Sequence, residues 1–121
     1  MHKKNNLPNY FRQHLNNDVI AYVSKSEREI IACVFLLVVE KPMSPAFPTG
    51  KTGTVLNVYT CPDYRNKGYA RNLMNMLLAD AAEMGLDIVE LKATEDGYNL
   101  YRSLGFCDSD RYRLMKWENG K

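Results

Sequence analysis

The stretch Arg65-Asn66-Lys67-Gly68-Tyr69-Ala70 sets a glycine among basic side chains, between a strand-like run over residues 54–60 and an apolar-periodic helix. The first N–H groups of a helix lack carbonyl partners within it, and the aligned peptide dipoles place partial positive charge there. A basic, glycine-bearing turn at that point is therefore a phosphate cradle. It has neither the GKS or GKT ending of a nucleotide P-loop nor the three-glycine spacing of a dinucleotide fingerprint.

The surrounding pattern must position these groups. Residues 5–17 carry Leu7, Tyr10, Phe11 and Leu15 near helical spacing, with Asn6 as a cap and Pro8 in the first turn, and predict a short amphipathic helix. Residues 18–24 and 29–40 are β-rich and predict an antiparallel hairpin. Pro42, Pro45, Pro48 and Gly50 break the chain into a loop. A strand over 52–61 then stops at Pro62. Ala70, Leu73, Met74, Leu77, Leu78, Ala81 and Met84 recur at helical spacing up to Gly85, a C-cap candidate. A strand over 87–93, a helix over 96–104 and a last strand over 111–117 complete the prediction. The strand–helix–strand unit over 52–93 calls for parallel strands with a right-handed crossover, and for a ligand at their C-terminal ends.

At 121 residues the chain has room for one domain. Its 45% hydrophobic and 25% charged residues are ordinary for a globular protein, and a net charge of +2, spread along the chain, gives no nucleic-acid stripe and no polybasic membrane patch. Cys33, Cys61 and Cys107 are odd in number and widely spaced, without a CxxC pair, which fits a reducing cytoplasm. With only His2 and His14 besides, no metal-ligand spacing emerges. The apolar run 30–39 is too short to span a bilayer, and no targeting segment is visible. The clustered Met74, Met76 and Met84 read as core packing.

Two segments carry a family resemblance. Residues 65–70 fit R-x-x-G-x-A, and residues 93–106 fit A-[ST]-x-x-G-x-x-L-Y-x-x-L-G-F. Both, in this order, resemble the GNAT superfamily of acyl-CoA N-acetyltransferases, over about residues 18–117. The resemblance implies an α/β fold: a mixed, partly antiparallel sheet flanked by helices. It implies acetyl-CoA as co-substrate, no metal, and acetyl transfer to the primary amine of a small-molecule or peptide acceptor by direct attack in a ternary complex.

Residue by residue, the resemblance implies that the N–H groups of Asn66, Lys67, Gly68, Tyr69 and Ala70, with the side chains of Arg65, Lys67 and Arg71, hold the CoA pyrophosphate. Main-chain groups of Val58, Tyr59 and Thr60 would pair with the pantetheine arm as an added strand. The Val58 N–H would face the thioester oxygen as it becomes an oxyanion. Tyr101 would protonate the departing thiolate, with Tyr98 as its substitute, and Thr94, Tyr98 and Tyr101 would help to bind the cofactor.

Two departures from the family pattern stand out. Several members have a glutamate base on the strand before the pyrophosphate loop, whereas residues 54–59 hold no carboxylate. A water held by Asn57 would replace it, or a base from elsewhere such as Glu40 or Glu90, or a partly neutral acceptor amine. The family's usual first strand and one helix also have no counterpart before Asp18, so a partner copy is expected to complete that sheet edge as a homodimer. The proline-rich loop 42–50 and the N-terminal helix are expected to shape the acceptor pocket. The competing expectation is a non-catalytic acyl-CoA-binding or regulatory module.

Overall fold

The computed structural model describes residues 12–109 and 113–120. Four strands, β1 (Val19–Ser26), β2 (Glu29–Glu40), β3 (Lys51–Thr60) and β4 (Ile88–Glu90), form one sheet in the order β1-β2-β3-β4. The first three are antiparallel neighbours and β4 runs parallel to β3. Helix α1 (Tyr69–Met84) supplies the crossover between β3 and β4, and α2 (Glu95–Ser103) follows β4. The mixed, partly antiparallel sheet with helices is the expected fold class.

Alternation explains which face is covered. Ala32, Val34 and Leu36 of β2 point to one side and meet Leu73, Met74 and Leu77 of α1 in a buried cluster, joined by Tyr22, Val55 and Tyr101. Each fully buried Leu or Met contributes about 1.5–3 kcal/mol relative to exposure. The spacing of Leu73, Leu77 and Ala81 is that of one helix face, and Gly85 ends the helix in the left-handed region at φ 75°, donating to the carbonyls of Ala81 and Ala82. Tyr22 passes through the same layer and donates its hydroxyl to Asp80 of α1 at 2.7 Å.

Three expectations change. The predicted N-terminal helix falls mostly on residues outside the described ones. Of the rest, Arg12 to His14 are helical, and Leu15 instead bridges to Val19, because residues 16–18 turn the chain, with Asn16 at φ 62°. The predicted last strand, 111–117, is not found over 113–117. That stretch is in no ladder, and Leu114, Met115 and Trp117 are about four-fifths or more exposed (79%, 88% and 81%). Its alternating residues have the propensity for a strand, but propensity acts only where a neighbouring edge supplies hydrogen bonds and a surface to pack on.

The loop 42–50 is the third change. The N–H groups of Thr49 and Gly50 donate to the Asp87 carboxylate, and the Thr49 hydroxyl donates to the Gly85 carbonyl. These contacts bind the loop to the start of β4, at the end of the sheet opposite to the C-terminal ends of β3 and β4. The proline-rich hairpin end therefore closes the base of the fold and does not line the ligand-facing end.

Candidate active site

β3 and β4 pair only over Thr52–Ile88, Gly53–Val89 and Thr54–Glu90. Past Thr54, β3 runs on to Thr60, while the chain after Glu90 leaves the sheet. The two parallel strands thus part, and the gap is a cleft of about 160 Å³. Val55, Asn57 and Val58 form one wall, Leu91, Lys92 and Thr94 the other, and Tyr101 lies across it.

A bulge re-aims β3 inside this cleft. Cys33 pairs with Tyr59 but Phe35 with Leu56, so Asn57 and Val58 together oppose the single residue Val34. Asn57 takes up the extra residue in the left-handed region, at φ 50°. Asparagine tolerates that conformation better than a β-branched residue, which explains its place here. The bulge shifts the alternation by one residue: Gly53 and Val55 face the α1 side before it, and Val58 packs on that same side after it.

The basic turn follows the end of β3. A short 3-10 turn, Pro62–Tyr64, leads to Arg65, whose Nε donates to the Thr60 carbonyl at 3.0 Å. Asn66 (φ 61°) and Gly68 (φ 90°) are both left-handed, and Gly68 is the N-cap of α1 with no side chain capping the helix. No acidic residue stands in the first turn of α1, and nothing lies within 4 Å of where a Gly68 Cβ would be. The helix therefore begins with open N–H groups beneath free space, ringed by Arg65, Lys67 and Arg71. Lys67 rests over the Tyr64 ring, which meets Tyr69 edge-on, and Arg71 donates to the Ser103 hydroxyl at 2.9 Å, fastening α1 to α2.

Helix α2 starts at Thr94, whose hydroxyl accepts from the Gly97 N–H at 3.3 Å, with Glu95 and Asp96 in the favoured acidic first turn. Gly97 leaves room for Tyr101 one turn on, since a Cβ there would lie 2.8 Å from the tyrosine ring. Tyr101 is buried, held edge-on by Phe106, and burial pushes its phenol above the ordinary value of 10.0. Such a phenol holds its proton through neutral and mildly alkaline pH.

Tyr98, on the same helix, points elsewhere. It is exposed, and its hydroxyl donates to Asp108 at 2.8 Å, the largest cause of its raised pKa. The structure thus brings Asn57, Val58, Thr94 and Tyr101 together and leaves Tyr98 outside the cleft wall. Tyr59 and Thr60 continue β3 toward the basic turn. Neither Glu40 nor Glu90 lines the cleft, and among the described residues no lining residue is acidic. Lys92 is the charged lining residue that the sequence reading passed over, together with the apolar Val55 and Leu91. Its only signal was its place just after β4 at the ligand-facing end. Among the described residues no group of three or more potential metal ligands exists.

Over residues 2–106 the chain matches the model of the acetyltransferase (GNAT) family. Its fold is similar to that of a predicted acetyltransferase from Clostridium acetobutylicum crystallised with acetyl-CoA, with a TM-score of 0.86, 26% identity, and 96% of this chain and 76% of the other covered. It is also similar to a GCN5-related N-acetyltransferase from Ralstonia eutropha, with a TM-score of 0.80, 27% identity, and 95% and 76% covered. A glucosamine-6-phosphate N-acetyltransferase from Arabidopsis thaliana shares the fold, with a TM-score of 0.74, 18% identity, and 93% and 75% covered. No curated protein matches the chain in sequence.

Proposed function

Because the chain belongs to the acetyltransferase (GNAT) family, we propose that it moves the acetyl group of acetyl-CoA to the primary amine of an acceptor by direct attack in a ternary complex. The observation that carries this reading is the parting of β3 from β4 above Thr54 and Glu90, which sets Val58 and Tyr101 around one cleft beside an uncapped basic helix start. A neighbour crystallised with acetyl-CoA supports the choice of donor.

In this reading the N–H groups of residues 66–70 and the side chains of Arg65, Lys67 and Arg71 hold the pyrophosphate. Val58, Tyr59 and Thr60 offer main-chain groups to the pantetheine arm on the side where β3 has no ladder partner among the described residues. The left-handed turn at Asn57 supports giving the oxyanion to the Val58 N–H, since it rotates the intervening peptide out of the ladder. The amine nitrogen forms a bond to the thioester carbon, the C–S bond breaks, and the Tyr101 phenol gives its proton to the sulfur. The proton lost by the nitrogen returns to the phenolate through water held at Asn57. Most of the acceleration comes from holding amine and thioester in line.

Catalysis without a lining carboxylate requires the amine to arrive neutral or to lose its proton to solvent. That same feature favours the second reading, an acyl-CoA-binding or regulatory module. Thiol release from acetyl-CoA across a panel of amines separates them. Amine-dependent release that Tyr101→Phe suppresses supports the transferase, and tight acetyl-CoA binding with no release for any amine supports the module.

The same reading places the protein in the cytoplasm, which its three free cysteines support, and makes it a homodimer. β1 is an edge strand, with only β2 as ladder neighbour among the described residues, and a second copy would complete it. A monomeric mass by sedimentation would overturn the dimer.

A further inference from the structure

The walls of the cleft carry one charge. Among the described residues Lys92 lines it, no acidic residue does, and Lys92 forms no salt bridge. The nearest acidic position along the strand, Glu90, stands opposite Thr54 at the last rung of the ladder, before the cleft opens. The other basic residues of this end are otherwise placed: Arg65 holds the Thr60 carbonyl, Arg71 holds Ser103 and Lys67 rests on Tyr64, all around the start of α1. Lys92, an exposed residue, belongs to the wall that follows β4, across the cleft from the wall formed by Asn57 and Val58.

From this arrangement we infer that Lys92 selects acceptors carrying an anionic group, a carboxylate or a phosphate, close to the amine that is acetylated. The inference rests on the transferase reading above. Lys92 is exposed at the cleft, and with no salt-bridge partner among the described residues its ammonium is open to an incoming anion, which it would hold by a charge-assisted hydrogen bond. An acceptor bearing a second ammonium meets a like charge with no carboxylate in the lining to offset it. Binding the anion at Lys92 also fixes where the amine points: a short acceptor held there lies between the Lys92 wall and the Val58 wall, where the thioester is placed. Lys92 is in this sense a specificity residue, and the bond-making step stays with the groups already assigned.

Initial rates of thiol release from saturating acetyl-CoA, measured on the full chain with matched acceptors, test this. Suitable pairs are ethanolamine with O-phosphoethanolamine and 2-phenylethylamine with phenylalanine, with spermidine as the cationic extreme. The anionic member of each pair should have a kcat/KM higher by about two- to fivefold, the scale of a solvent-exposed ion pair. Lys92→Glu should abolish or invert that order while the KM for acetyl-CoA holds steady, and Lys92→Arg should keep it. Preference for the neutral or cationic acceptors by the wild type overturns the inference. So does an unchanged order in Lys92→Glu, or a change confined to the acetyl-CoA KM. Release with none of the amines, despite measurable acetyl-CoA binding, fells the transferase reading itself and the inference with it.

Discussion

The two halves of β3 share one strand and differ in almost every physical respect. Thr52, Gly53 and Thr54 have ladder partners on both sides, and Thr52 and Gly53 are buried. A Cβ at Gly53 would lie 2.8 Å from Leu36 and 3.0 Å from Leu86, so the sheet and its covering layer close over that point. From Val55 on, the strand keeps its β2 partner, loses β4 and lines a cleft, and at Asn57 it carries a left-handed residue. A reactive main chain needs unpaired groups and a stable sheet needs paired ones. This strand separates the two demands by length, with residues 55–57, from the end of the β4 ladder to the bulge, as the boundary.

Substitutions that affect one half and spare the other test the division. The largest effect belongs to the cleft: Tyr101→Phe is expected to lower kcat by about 100-fold, roughly 2.7 kcal/mol of barrier, with little change in thermal stability. Because burial raises the phenol above 10.0, any loss of kcat due to its deprotonation should come only above that pH in the wild type. A Tyr101-dependent fall near pH 8 in the pH–rate profile would break the assignment. Next comes the closed half. Gly53→Val must displace the buried Leu36 and should cost about 2 kcal/mol in denaturant unfolding, as overpacking does, while the folded fraction keeps its acetyl-CoA KM.

The boundary itself is the third test. Asn57→Gly should leave stability within about 0.5 kcal/mol, whereas Asn57→Val, forced to a positive φ, should cost about 1–2 kcal/mol and reduce kcat with it. Equal stability for the two variants, read by thermal unfolding, would show that the bulge does not depend on residue 57. The smallest effect lies far from the cleft. Burial and the hydrogen bond to Asp80 raise the Tyr22 pKa, so this pair contributes its full stability below pH 10.0, and the contribution fades as pH climbs through the higher folded value. Tyr22→Phe should cost about 1 kcal/mol at neutral pH and flatten the alkaline limb of the stability curve without altering turnover.

How much of this was legible beforehand follows from what each feature depends on. Strands β1 to β3 and both helices announce themselves locally, through runs such as Ile30 to Val39, the spacing of Leu73 and Leu77, and the Gly85 cap. The parallel unit and its ligand-facing end follow from element order, so the basic turn and Tyr101 could be placed together. The bulge at Asn57 depends on the register between β2 and β3, a relation between residues far apart in the chain. Tyr98 and Tyr101 look alike in sequence, and only the fold turns one to Asp108 and the other into the core. Loop 42–50 was misplaced because proline content says where a chain bends, not which end of a sheet the bend will occupy. Arg111 to Trp117 has strand-like alternation, and 113–117 nonetheless joins no ladder.

Because two residues of β3 stand opposite Val34, the strand tolerates editing unevenly. Flattening the bulge with Asn57 kept would turn every later side chain of the strand over, sending Val58 to the outside and Tyr59 toward α1, whereas removing Asn57 would straighten the pairing with β2 and leave both on their present faces. The left-handed residue is thus what lets a strand of this length match β2 in register and α1 in facing at once.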